Sequence, residues 1–159
     1  HNIQDNFFYL DHMFTREGNG SGCIYLDKYN SGDFSDDNSI VYGHNMKNGS
    51  MFASLISYKE PGYYEEHPRL LLVTREHRYV LELFAGILTA PASDDWQMNY
   101  ADRETYAAWL ADVKARSVFT SPVTPTPEDR IVSLATCTYE FDDARLMVMG
   151  VLKEYKESE

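Results

Sequence analysis

Two side chains late in the chain are close enough in sequence to act together. Cys137 ends the β-rich run Ile131-Val132-Ser133-Leu134-Ala135-Thr136-Cys137, and Arg145 opens a second such run, Leu146 to Leu152. A thiol attacks as thiolate, and at an unperturbed pKa of about 8.5 only a few per cent is ionised near neutrality, so a base or a cation must stand close by. Pairing of the two runs would bring the Arg145 guanidinium near the sulfur. A third candidate is His44, at the end of Ile40-Val41-Tyr42-Gly43, because imidazole alone among side chains ordinarily titrates near neutral pH and serves as both acid and base. Nucleophile, proton carrier and electrostatic partner are all available by type.

On residue type alone, other readings stand beside this one. A single Cys in a strand is commonly core, a single His commonly surface, and a single Arg commonly an ion-pair partner. Cys23, flanked by Ile24 and Leu26, reads as simple burial. Cys137 and His44 with His67 or His77 have the chemistry of metal ligands but no close ligand spacing. Asp142-Asp143 lacks the regular oxygen spacing of a calcium loop. No metal and no cofactor are expected.

The elements that must position these residues are mostly strands. Residues 5–14 read as a short helix before the Gly18-Asn19-Gly20-Ser21-Gly22 turn. Residues 23–26 and 40–42 read as strands separated by a polar loop over 31–38. Ser50 is a candidate N-cap for a helix from Met51 to Tyr58, stopped by Pro61-Gly62. Arg69 to Thr74 and Arg78 to Leu88 read as an antiparallel hairpin. Asp102 caps a helix expected over Arg103 to Ser117, with Tyr106, Trp109, Leu110 and Val113 on one face. Pro122, Pro125 and Pro127 then hold an extended connection, and the last two strands join through the acidic turn Glu140-Phe141-Asp142-Asp143. Seven or eight strands with two or three short helices, and no strand–helix alternation, predict a mainly β barrel or sandwich with helical insertions.

A chain of 159 residues that is 43% hydrophobic buries a core of its own and is expected to form one domain over residues 1–159. Fourteen basic against 25 acidic residues leave a net charge of −11. That excludes nucleic acid and anionic membrane surfaces as partners gathered by charge. No run reaches the roughly 18 apolar residues of a membrane span. The start at His1-Asn2 without Met is that expected of a processed or trimmed chain, with any membrane anchor N-terminal to it.

Residues 40–52, Ile-Val-Tyr-Gly-His-Asn-Met-Lys-Asn-Gly-Ser-Met-Phe, resemble the histidine segment of class B sortases, and residues 133–146, from Ser133 through Cys137 to Leu146, resemble their cysteine-to-arginine segment. Asn6 to His12 and Cys23 to Asp27 are similar to the family as well, so the resemblance runs along essentially the whole chain. It implies an eight-stranded β-barrel with an N-terminal helix and a helix inserted in the long connection before the cysteine strand. It further implies a cysteine transpeptidase of Gram-positive bacteria. Cys137 would cleave a C-terminal sorting motif after Thr through a thioester, His44 would protonate the departing amine, and Arg145 would steady the oxyanion. An amine acceptor, such as a peptidoglycan precursor or a pilin lysine, would then resolve the thioester, anchoring a surface protein to the cell wall or a pilus. Asn6, Leu10 and Thr136 would contact the sorting peptide. The same resemblance sets the work on the extracytoplasmic face of the membrane. The family's common Leu-Ser-Thr-Cys is Leu134-Ala135-Thr136-Cys137 here, which lacks one hydroxyl. A cysteine peptidase that gives its thioester to water, and a catalytically idle binding module, are the alternatives.

Overall fold

In a computed structural model of the chain, residues 25–43, 53–73, 77–90, 93–137 and 144–155 are described. Six strands form one sheet among them: β1 (Tyr25–Leu26), β2 (Asn38–Tyr42), β3 (Arg69–Val73), β4 (Arg78–Thr89), β5 (Ile131–Cys137) and β6 (Arg145–Glu154), in the order β1-β2-β5-β6-β4-β3. The fold is mainly β, as expected. The expected N-terminal helix and the acidic turn before Arg145 lie outside the described residues.

The hairpin expected from residues 69–88 forms, with Arg69 opposite Glu82 and Val73 opposite Arg78. β5 and β6 pair antiparallel from Ile131–Val151 to Cys137–Arg145. β6 also pairs along β4, whose register shifts between Leu83 and Ala85. This irregularity turns Leu83 toward one face while both Phe84 and Ala85 go to the other, the local kink that an extra residue imposes. β2 joins β5 in parallel, with Asn38 opposite Ile131 and Tyr42 opposite Ala135. Asn38, read from sequence as loop, is therefore the first residue of a buried strand. Its carboxamide oxygen accepts from Ser133 Oγ at 2.7 Å and its nitrogen donates to the carbonyl of Gln97.

Alternation divides the sheet into two faces. One carries Ile40, Ile87, Ala135, Met147 and Met149 and is covered by helix α2 (Arg103–Ala115). The other carries Val41, Leu81, Val132, Leu134 and Val148 and packs against Leu55, Tyr58 and Tyr64. Burying an aliphatic side chain of this size stabilises the fold by about 1.5–3 kcal/mol, so each face holds its cover firmly.

The covering segments differ from expectation in detail. In place of an α-helix over residues 51–58 there is a 3₁₀ helix over Ala53–Lys59, and the proposed cap Ser50 lies outside the described residues. Leu55 and Tyr58, three residues apart and both buried, share a face in a helix of three residues per turn. Gly62 does more than stop that segment. At φ 85° it is the N-cap of a second short helix, α1 (Tyr63–Glu66), a left-handed conformation that favours glycine. In the inserted helix α2, Asp102 accepts from the Thr105 amide at 2.7 Å. The helix ends two residues before the expected Ser117 because Ser117 Oγ takes the Gly86 amide and the Val118 amide goes to the Gly86 carbonyl. Tyr106, Trp109, Leu110 and Val113 are its buried face, as their spacing predicts.

Candidate active site

The site is built at one end of the sheet, where β2, β4 and β5 finish and β6 begins. Cys137 is the last residue of β5 and Arg145 the first of β6, and the two stand directly opposite each other. Residues opposed in this way are neighbours across the ladder, the unit through which facing strands interact. Arg145 also stands opposite Thr89, the last residue of β4. One rung therefore crosses three strands with Cys137, Arg145 and Thr89 in a row. Arg145 is partly exposed, and its Nη1 donates to the Ala144 carbonyl at 3.3 Å.

β2 brings its C-terminal end to the same place. Tyr42 lies opposite Ala135, and the Gly43 amide donates to the Ala135 carbonyl at 3.2 Å. His44 follows immediately in sequence but lies outside the described residues, as do Asn6 and Leu10. Thr136 is 2% exposed, and its hydroxyl has no hydrogen-bond partner among the described residues. By alternation with Ala135 it points away from α2, toward the cluster of Val41, Leu134 and Leu146. Ala135, where the resembling family commonly has Ser, is buried in the cluster under α2.

Sequence reasoning missed the polar network that backs this row. Asp95, 4% exposed, accepts from Thr89 Oγ1 at 2.7 Å, Trp109 Nε1 at 3.1 Å and Arg116 Nη2 at 2.6 Å. Burial alone would raise its pKa, but the bonds from Arg116, Thr89, Trp109 and Ser93 outweigh that and hold the carboxyl below its ordinary range. Ser93 Oγ accepts from the Asp95 amide, the local turn for which Ser-x-Asp is a sequence signal. Nearby, Tyr42 and Trp96 stack with ring centroids 5.9 Å apart, and the Tyr42 hydroxyl donates to Asp27 at 2.8 Å. Among the described residues, no three His, Cys, Asp or Glu group as metal ligands. No helix there is long and apolar enough to cross a membrane.

A mainly antiparallel sheet with a helix packed in the connection before the last two strands is an architecture shared with solved proteins. Sortase B from Listeria monocytogenes superimposes with a TM-score of 0.83 at 35% identity, covering 92% of this chain and 82% of that one. A Staphylococcus aureus sortase B–substrate complex superimposes at 0.88 with 28% identity, covering 95% of this chain and 71% of that one. No family model matches the chain. Among curated proteins, sortase B of L. monocytogenes is 34% identical over 151 residues, 94% of this chain and 61% of its own length. The fold is thus of the sortase type. The chain belongs to the sortase B family, and it spans about three fifths of the length of the curated relatives it matches.

Proposed function

We propose that residues 1–159 form the catalytic domain of a class B cysteine transpeptidase, with Cys137, His44 and Arg145 as its working residues. The observation that carries this reading is the opposition of Cys137 and Arg145 on one rung. It is supported by the delivery of β2, and with it the residue after Gly43, to the neighbouring edge of β5.

The chemistry follows from the three groups. The Cys137 thiolate attacks the carbonyl carbon of the Thr in a sorting motif, and the carbonyl oxygen gains negative charge. Arg145 stabilises that oxyanion, a task for a guanidinium because it stays charged at any working pH and offers several donors. As the tetrahedral species collapses, the C–N bond breaks and His44 gives its proton to the departing amine, leaving a thioester. An acceptor amine, deprotonated by the now neutral His44, attacks the thioester carbon. The new amide forms and the Cys137 thiolate leaves.

A relative has been solved as a sortase B–substrate complex, and a sortase B has been solved in complex with triglycine. Both support a peptide donor and an amine-bearing acceptor, such as a peptidoglycan precursor or a pilin lysine. Asn6 and Leu10 line the peptide groove in this reading. Thr136, with its hydroxyl buried, contributes through its main chain. The enzyme acts on the extracytoplasmic side of the membrane, where sorting motifs and wall precursors meet, and needs no metal or cofactor.

The test is incubation with fluorogenic peptides carrying sorting-type motifs, with and without hydroxylamine, followed by mass spectrometry of enzyme and products. An adduct on Cys137 that passes to the amine supports the transpeptidase and names its motif. Release only to water indicates a peptidase. A thiol that alkylates normally yet forms no adduct with any peptide indicates an idle binding module.

A further inference from the structure

The row Cys137–Arg145–Thr89 has a support that lies outside the strands. Thr89 is 5% exposed, and its hydroxyl donates to Asp95 Oδ2 at 2.7 Å and meets Ser93 Oγ at 2.5 Å. The same carboxylate is held from the other side by Trp109 Nε1 and by the two terminal guanidinium nitrogens of Arg116, Nη2 at 2.6 Å and Nη1 at 3.3 Å. Trp109 lies within α2 and Arg116 is its C-cap residue. One buried carboxylate therefore fastens the end of β4 to the inserted helix, at the rung that Arg145 shares.

We propose that Asp95 is a positioning residue for the transfer reaction: through Thr89 it fixes the side wall against which Arg145 is set. The physical reason lies in where strands are weakest. Thr89 is the last residue of its strand, where ladder bonds run out and the chain turns away, so a rung there splays readily unless something outside the sheet holds it. Arg145, the first residue of β6, is equally terminal. A guanidinium that stabilises a transition-state charge must be held to within a fraction of an ångström. The Asp95 network meets that need. It is buried, it engages five donor atoms from four residues, and Arg116 balances its charge within the network.

The inference rests on the role given to Arg145 above, so its test needs one readout that depends on turnover and one that does not. The variants are Thr89→Val, Thr89→Ser and Asp95→Asn, with Asp37→Asn as control. Asp37 binds Arg103 at 2.8 Å just before β2 begins, at the far end of the sheet. Steady-state kinetics with the peptide and hydroxylamine is the first readout. The second is the Arg145 Nε–H resonance in a ¹H–¹⁵N spectrum, assigned with Arg145→Lys.

Thr89→Val is expected to lower kcat by about tenfold or more at little-changed KM, within the scale of a small misplacement of a catalytic group. Thr89→Ser restores kcat. The Arg145 resonance moves in Thr89→Val and Asp95→Asn and stays in place in Asp37→Asn. Unchanged kcat in Thr89→Val, or a fall without movement of the resonance, or an equal fall in the control, overturns the proposal. If the wild-type protein transfers no peptide yet the resonance moves as expected, the positioning stands and the catalytic reading fails.

Discussion

Cys137 and Arg145 are brought opposite each other by a ladder of seven pairs that starts at Ile131 and Val151. The register of that ladder is held by its two faces, because a slip of one residue would turn Val132, Leu134 and Val148 out of one core and Met147 and Met149 out of the other. The geometry of the site is thus enforced by apolar burial several residues away from it. For the same reason the guanidinium and the thiol need only a short acidic connection between them.

Replacing Cys137 by Ala removes the proposed nucleophile from the end of a strand whose remaining residues carry the packing. Turnover is expected to fall to background while the far-UV circular dichroism spectrum and the melting temperature stay close to wild type. Loss of the folded spectrum would contradict the placement of this residue at a rim.

Arg145→Lys keeps the positive charge but not the planar fork of donors. The kcat of peptide transfer should fall by about 10²-fold or more, the scale seen when an oxyanion donor is removed. Stability should change little. A variant with wild-type kcat would mean that charge alone suffices.

Thr136 offers a sharper test because its hydroxyl is buried without a partner among the described residues. A polar group left in that state costs about 1–3 kcal/mol, and an apolar group of the same shape removes the cost. Thr136→Val is therefore expected to raise stability by about 1 kcal/mol in urea unfolding, and to keep activity if the main chain makes the peptide contact. A destabilised variant would show that the hydroxyl has a partner.

The pKa of Asp95 lies below its ordinary value, and Asp36 and Asp37 share the direction. A carboxylate depressed by folding gives stability that is whole above its unfolded pKa of about 3.9 and is lost as the pH falls through its folded value. The melting temperature should accordingly hold between about pH 7 and 5 and decline below about pH 4. Asp95→Asn, which has no such proton to take up, should show a shallower acid decline. Equal acid slopes in the two proteins would rule out Asp95 as a contributor.

Gly150 sits where β6 meets β4, and a Cβ there would lie 2.9 Å from Leu81 Cβ and 3.1 Å from Leu83 Cδ2. Leu81 Cβ is fixed to its backbone and has no rotamer by which to retreat. Gly150→Ala should destabilise the protein by about 1–3 kcal/mol, read as a lower urea midpoint.

Much of the fold was legible in the chain itself. The β-rich runs in residues 69–88, 131–137 and 146–152 located the strands, and Asp102 before an apolar stripe located α2, because strand preference, cap and stripe act over a few residues. The 3₁₀ helix was not legible, since Leu55 and Tyr58 serve either kind of turn. The likeness of residues 40–52 and 133–146 to a known family pointed to Cys137, His44 and Arg145, which type and spacing alone left among other readings.

The sequence by itself determined the nature of the reactive groups and the strand ends on which Cys137 and Arg145 stand, through residue chemistry and local periodicity. Only the tertiary structure decided the neighbours. The parallel pairing of β2 with β5 joins Tyr42 to Ala135, and the row from Cys137 through Arg145 reaches Thr89, held by Asp95, Trp109 and Arg116. Such contacts unite distant parts of the chain, and they are chosen by which arrangement buries both sheet faces and satisfies the enclosed charges. No short stretch of residues carries that information.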